Sequence, residues 1–193
     1  MIRLATEADI SAILNIYGPY VQDTAYTFEY ETPSLEVFTQ RFRTVTAQFP
    51  WLVWQEEGRV LGYAYATAPF ERAAYAWCAE PAIYLAPEAQ RQGIGKKLYA
   101  ALEALLELQG YFRLYALVTT DNAASVDFHL AVGYRELARF PDCGFKFGRW
   151  HGVTWLEKVL KSGDFPTHAP RSIWEIVESN KKLEKILDKL PLF

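Results

Sequence analysis

The run QRQGIGKK, from Gln90 to Lys97, sets two glycines two residues apart among three basic side chains, where a long apolar periodicity begins. Glycine lets a ligand approach the backbone, and the first turn of a helix leaves its N–H groups unpaired, so this composition can hold an anion. The helix dipole adds about half a positive charge at that end. Arg91 and Lys96 can add full charges suited to a pyrophosphate. Two nucleotide-binding patterns fail here. A Walker A loop would need glycine and a hydroxyl residue where Gln90 and Lys97 stand, and a dinucleotide fingerprint would need a third glycine in place of Leu98. What remains is Gln-Arg-x-Gly-x-Gly between a strand and a helix, either a plain helix start or a phosphate seat. The other chemically reactive types are sparse. Cys78 and Cys143 have neither a C-x-x-C spacing nor a clustered histidine, so neither zinc nor a disulfide framework is expected, and no metal is assigned.

The elements around the loop can be read from periodicity. Ile2 to Leu4 reads as a strand, followed by a helix capped by Thr6, with Ile10, Ile13, Leu14 and Tyr17 on its buried face and Gly18-Pro19 as its end. A second helix is expected from Ser34 to Gln48, then a hairpin of WLVWQ and RVLGYAYA turning at Glu56 to Gly58. The strand Ala79 to Leu85 stops before Pro87. From Gly93 to Gln109, Ile94, Leu98, Ala101, Leu102, Leu105 and Leu108 form one face, closed by Gly110. Then come a strand at Phe112 to Val118, a helix at Asn122 to Val132 ending on Gly133, and strands near Tyr134 to Phe140 and Val153 to Leu160. KSGDFPTHAPRS reads as a linker. Beyond it Ser172 and Glu175 form a capping box for an amphipathic helix with Ile173, Ile176, Leu183, Leu187 and Leu190 on one face and Pro191 after it. That gives a domain over 1–161, a linker over 162–171 and an added helix over 172–190, packed on its own domain or a twin subunit in preference to a foreign partner.

The 193 residues, 51% hydrophobic and 16% aromatic, suffice for one core. A net charge of −3 argues against nucleic acid or an anionic membrane as partner, so any anion site is local. MIRLATEADI lacks a signal pattern, and no apolar run approaches the roughly 20 residues of a membrane span. A cytoplasmic location with reduced thiols is the expectation.

With the loop, the segments IRLATEADI, FPWLVW, AYAWCAEPAIYLAPEAQRQGIGKKLYAAL, DNAASVDFHLAVGY and GFKFGRWHGVTW resemble, in order, the GNAT superfamily of N-acetyltransferases and its phosphinothricin and methionine sulfoximine subgroup. The resemblance implies an α/β (α+β) GNAT fold with a mostly antiparallel twisted sheet flanked by helices. It also implies direct acetyl transfer from acetyl-CoA to a small amino acid's α-amine, and a homodimer. Other small amines, a protein N-terminus, or an acetyl-CoA-binding module without turnover are the alternatives.

Site residues follow from the same resemblance. Arg91, Gln92, Gly93, Ile94, Gly95 and Lys96 would hold the pyrophosphate, and Ile83, Tyr84 and Leu85, on a strand splayed from its neighbour from Pro81 onward, would hold the pantetheine arm. Asn122 and Ser125 would contact the cofactor. Glu80 matches the subgroup's general base, which an α-ammonium needs because it is mostly protonated at neutral pH. A purely structural ion pair is the other reading of Glu80. His129, seven residues after Asn122 where many superfamily members carry tyrosine, matches the subgroup's histidine, able to protonate the thiolate or assist deprotonation. Arg72 would bind the acceptor carboxylate through its guanidinium fork. Phe28, Tyr75 and Tyr84 would wall the acceptor pocket, with Lys146, Trp150 and His151 as further wall positions.

Overall fold

Alternation and turn chemistry build the sheet's first half. In the computed structural model, which describes residues 1–163 and 165–179, strand β2 (Trp51–Glu56) returns as β3 (Arg59–Thr67). The turn places Glu57 and Gly58 at φ 47° and 79°, the double left-handed geometry whose twist matches a hairpin. Strand β1 (Ile2–Leu4) pairs with β2 on the outer side, and β4 (Cys78–Leu85) pairs antiparallel with β3 from Thr67↔Glu80 to Gly62↔Leu85. Helices α1 (Ile10–Asp23) and α2 (Leu35–Thr46) come between β1 and β2 in the chain, and α2 is capped by Ser34 Oγ accepting from the Val37 N–H at 3.2 Å.

The second half is joined by a crossover. Helix α3 (Ile94–Gln109) carries the chain from β4 to β5 (Arg113–Thr119), the one parallel pairing in a sheet ordered β1-β2-β3-β4-β5-β7-β6 among the described residues. After α4 (Ala123–Ala131), the long hairpin of β6 (Arg135–Lys146) and β7 (Arg149–Val159) completes it, with β7 against β5 and β6 on the free edge. This is the mostly antiparallel α/β sheet that the resemblance implies.

On α3, Ile94, Leu98, Ala101, Leu102 and Leu105 are buried as their spacing requires, and Gly110 closes the helix at φ 102°. Leu108 is exposed, contrary to expectation, because the face turns toward Tyr99, Leu106 and Gln109, all fully buried.

Two further readings need correction. First, α1 does not stop at Gly18-Pro19 but continues to Asp23. The proline removes one N–H donor, while the turn beyond it is held by tertiary contacts: Val21 is fully buried and Tyr20 Oη donates to the Leu85 carbonyl at 2.7 Å. Second, β6 and β7 run well past their expected ends. The PDCG stretch, which looks like a turn, is a bulge inside the edge strand, where the register shifts between Phe140 and Gly144 and Asp142 sits at φ 50°. The true turn is Phe147-Gly148, at φ 50° and 74°.

The stretch expected as a linker has no helix or strand in its described residues, and its end is tied down. Gln109 Nε2 donates to the carbonyls of Gln48 and Arg171 at 2.7 and 2.8 Å, and the Arg171 N–H returns to the Gln109 carbonyl at 2.8 Å. Helix α5 (Ile173–Ser179) starts on the expected box, with the Ser172 N–H donating to Glu175 Oε2 at 2.7 Å. It buries Ile173 and Ile176 against the domain. Leu183, Leu187, Leu190 and Pro191 lie outside the described residues.

Candidate active site

Strand β4 is paired with β3 on one side from Glu80 to Leu85. Its other edge meets β5 at Cys78↔Arg113 and Ala79↔Leu114 and no further, so from Glu80 onward the two strands diverge. Pro81, at the mouth of this gap, has no N–H to leave unpaired, and its carbonyl accepts from Tyr99 Oη at 3.2 Å. The gap opens into a cavity of about 390 Å³ lined by Glu80, Pro81, Ala82, Ile83 and Tyr84 from β4. Thr119 of β5, Asn122, Ser125 and His129 of the α4 region, Phe28, Tyr65, Tyr99, Cys143 and Trp155 also face it. Leu85 lies at the end of β4 with its carbonyl occupied by Tyr20.

At the head of α3, the loop curls through two left-handed residues, Arg91 at φ 59° and Gly93 at φ 78°. Among the described residues, none of the backbone N–H groups from Arg91 to Lys96 has a hydrogen-bond partner, whereas the Lys97 N–H donates to the Gly93 carbonyl at 3.2 Å. Arg91, Gln92 and Lys96 are exposed, while Ile94 and Gly95 are buried. A Cβ on Gly95 would stand 3.5 Å from both Ile83 and Phe128, so glycine lets the helix start lie close to β4 and α4. This is an anion seat in form: free donors, a helix N-terminus and two exposed cations at one place.

Glu80 is half-buried, and burial pushes its carboxyl above the ordinary glutamate range. Among the described residues it has no salt-bridge partner, so the structural ion-pair reading finds no cation. His129 is 3% exposed and shares the cavity. Its Nδ1 lies 2.7 Å from the Ser125 carbonyl, which can only accept, so the ring proton sits on Nδ1. Nε2 is then the acceptor for Tyr99 Oη at 2.8 Å. Burial holds the imidazole below its ordinary pKa and keeps this neutral tautomer. Asn122 caps α4, its Oδ1 accepting from the Ser125 N–H at 3.1 Å, which leaves its amide N–H₂ for a ligand.

The expected acceptor residues divide into two groups. Phe28 and Tyr84 line the cavity; Arg72 and Tyr75 do not, both being exposed on the loop before β4. That loop still reaches the wall, because the Phe70 ring packs on Tyr75 at 4.6 Å and near Trp155 at 6.2 Å. No lysine or arginine among the described residues lines the cavity itself. Trp150 is exposed on the hairpin, and Lys146 and His151 are buried in hydrogen bonds away from it. Tyr99 and Thr119 escaped the sequence reading. A phenol inside an otherwise aliphatic face was the one available sign for Tyr99, since a buried tyrosine hydroxyl needs a partner. Thr119 Oγ1 is a buried hydroxyl with no partner among the described residues, and no local pattern marks it.

Comparison with known proteins places these features. Residues 2–155 match the model of the acetyltransferase (GNAT) domain. The phosphinothricin N-acetyltransferase of Streptomyces viridochromogenes is 33% identical over 88% of this chain and 90% of its own length. The L-methionine sulfoximine/L-methionine sulfone acetyltransferase of Salmonella typhimurium is 31% identical over 82% and 94%. In structure, the GNAT superfamily phosphinothricin acetyltransferase of Sinorhizobium meliloti, solved in complex with AcCoA, superposes with a TM-score of 0.84 at 33% identity, over 88% of this chain and 94% of that one. The chain belongs to the GNAT acetyltransferase family and is an N-acetyltransferase.

Proposed function

We propose that this enzyme transfers the acetyl group of acetyl-CoA directly to the α-amine of a small amino acid such as phosphinothricin or methionine sulfoximine. The observation that carries the reading is Glu80: an unpaired carboxylate of raised pKa, facing the cavity at the point where β4 parts from β5. In this reading the pyrophosphate lies on the N–H groups from Arg91 to Lys96, and the pantetheine arm runs along the open edge of Ile83, Tyr84 and Leu85. Asn122 and Ser125 hold the cofactor from α4. Acetyl-CoA as donor fits a cytoplasmic location, and the residues invoked need no metal.

Glu80 accepts one proton from the α-ammonium, directly or through water. The freed nitrogen lone pair forms a bond to the thioester carbonyl carbon, the C–S bond breaks, and the nitrogen's second surplus proton ends on the departing sulfur. One amide, one thiol and one proton result. Of the two roles considered for His129, the neutral tautomer supports assisting deprotonation, because Nε2 carries no proton to give the thiolate and faces Tyr99 Oη beside the gap. Arg72 meets the acceptor carboxylate at the rim, with Phe28 and Tyr84 walling the pocket and Tyr75 covering it from the loop.

The strand β6 supports a homodimer. It is the sheet's free edge, long and mostly exposed, and it presents Leu137, Phe140 and Phe145 to solvent, an arrangement that invites a covering surface. The reaction itself is tested by following free thiol release from acetyl-CoA across a panel of amino acids and identifying the N-acetyl product by mass spectrometry. Acceptor-dependent release with methionine sulfoximine or phosphinothricin is expected; none with any α-amino acid would overturn the acceptor assignment.

A further inference from the structure

Lys146 is among the largest fully enclosed side chains of the described residues, 2% exposed, and none of their carboxylates bonds its ammonium. Nζ instead donates to three backbone carbonyls, Val21 at 2.7 Å, Thr24 at 2.8 Å and Thr27 at 2.9 Å. These span the last turn of α1 and the loop that follows it. The Val21 carbonyl is one of those a helix end leaves orphaned, and the negative end of the helix dipole favours a cation there. A single charge thus gathers three acceptors that would otherwise repel one another in a dry environment.

The loop it gathers is the one that carries Tyr26, Thr27 and Phe28 into the cavity. The same hairpin meets this loop at two further points. Tyr30 Oη donates to the Phe145 carbonyl at 2.5 Å, and a Cβ placed on Gly144 would stand 2.3 to 2.7 Å from the Phe28 ring, so the ring lies directly on that glycine's backbone. The hairpin is itself anchored beneath: His151 Nε2 donates to the Lys146 carbonyl at 3.0 Å, and its Nδ1 lies 2.5 Å from Asp121 Oδ2. Asp121 is the residue before Asn122, so the anchor reaches the end of β5 that borders the cavity.

We infer that Lys146 and Gly144 are positioning residues for the acceptor: the ammonium draws the loop after α1 onto the β6–β7 hairpin, the missing Cβ lets Phe28 lie down there, and together they set the acceptor wall without touching the acceptor. This rests on the reading of the cavity as the acceptor site. It assigns to Lys146 a role different from a wall position, and it gives an edge-strand hairpin remote from β4 in sequence a part in recognition. Displacement of a positioned group by about 1 Å can cost about a hundredfold in rate, and a wall shift that weakens acceptor binding shows first in KM.

The test uses the full chain with saturating acetyl-CoA and two acceptor probes, methionine sulfoximine and phosphinothricin. Lys146→Met keeps the aliphatic stem and removes the charge. The acceptor KM should rise about tenfold while the acetyl-CoA KM stays within about twofold, and the preference between the two probes should change. An unchanged acceptor KM and preference overturn the inference. So does a fall of apparent kcat alone, in proportion to the folded fraction measured by circular dichroism, which is what a merely structural lysine would give. Where Lys146→Met does not fold, Gly144→Ala decides, since it displaces the Phe28 ring from the hairpin side and leaves the ammonium in place; the same selective rise is expected, and its absence overturns the inference. A wild-type protein inactive with both probes overturns the acceptor reading itself, a result distinct from an active wild type whose variants keep their acceptor KM.

Discussion

The seat proposed for the cofactor uses six consecutive residues, Arg91 to Lys96, whose backbone N–H groups point free from one helix start. The wall proposed for the acceptor gathers Phe28, Glu80, Cys143 and Trp155 from four separate segments. One side is backbone chemistry encoded locally; the other is side-chain chemistry assembled by the sheet. A donor common to a whole family can be held by a short motif, because each atom of the seat depends on its immediate neighbours. On the proposed reading, acceptor recognition depends on how the loop after α1, the loop before β4 and the β6–β7 hairpin settle against one another, so it can change without altering the motif.

The largest effect should come from the residue at which the two sides meet. Glu80→Gln keeps the shape and removes the proposed base, and should lower kcat by about 10² to 10⁴, the range a positioned general base contributes. Calorimetric affinity for acetyl-CoA should change little. The sign of the pH dependence follows from the raised carboxyl pKa. The base works deprotonated, so kcat/KM in the wild type rises with pH through that raised value and then levels. The variant should lose this acid limb, and unchanged turnover in the thiol assay would remove Glu80 from the role.

Gly93→Ala separates the two sides next. Its φ of 78° is one that an alanine adopts at a strain of about 1 to 3 kcal/mol, although nothing lies within 4 Å of the added Cβ. Strain there turns the free N–H groups, so the acetyl-CoA KM should rise about tenfold with the acceptor KM nearly constant. An equal rise in both would show that the two sides are mechanically one.

The same contrast explains how far the sequence could be read. The divergence of β4 from β5 comes only from the family resemblance; the glycine loop and the strand and helix order follow from local patterns, and the structure shows them. The full extent of α1 did not, because what carries the helix past Pro19 is the burial of Val21 and the Tyr20 bond to Leu85, sixty-five residues away. PDCG has the composition of a turn and is a bulge because β7 pairs on both sides of it, Val153 with Phe140 before it and His151 with Gly144 at its end. Tyr99 pairs with His129 across thirty residues, and Lys146 reaches carbonyls more than a hundred residues earlier. Such groups carry no signal of their own at short range.

Arg72 offers a smaller effect and a sharper measurement. It is exposed and outside the cavity, and an exposed ion pair is worth about 0.2 to 1 kcal/mol, so Arg72→Ala should raise the amino-acid KM by up to about fivefold. The acetyl-CoA KM should not move. A rise of a hundredfold would mean that the loop carrying Phe70 and Tyr75 folds inward and buries the pair when the acceptor binds, and the acceptor wall would then be completed by a moving part.

The smallest kinetic effect belongs to a residue that both sides lack. Gln109 is fully buried at the far end of α3 from the loop, about 24 Å from Gly93 at 1.5 Å per residue, and its amide bridges the carbonyls of Gln48 and Arg171. Gln109→Ala removes two hydrogen bonds while the Gln48 and Arg171 carbonyls keep the Ile173 N–H and Gln48 Nε2 as donors, so it should cost about 1 to 3 kcal/mol of stability and loosen the segment that leads into α5. Thermal unfolding should shift down by about 2 to 4 °C per kcal/mol lost, with kcat and both KM values unchanged well below the transition. A selective change in the acetyl-CoA KM instead would show that the C-terminal extension acts along α3 on the cofactor seat, and the local character argued for that seat would no longer hold.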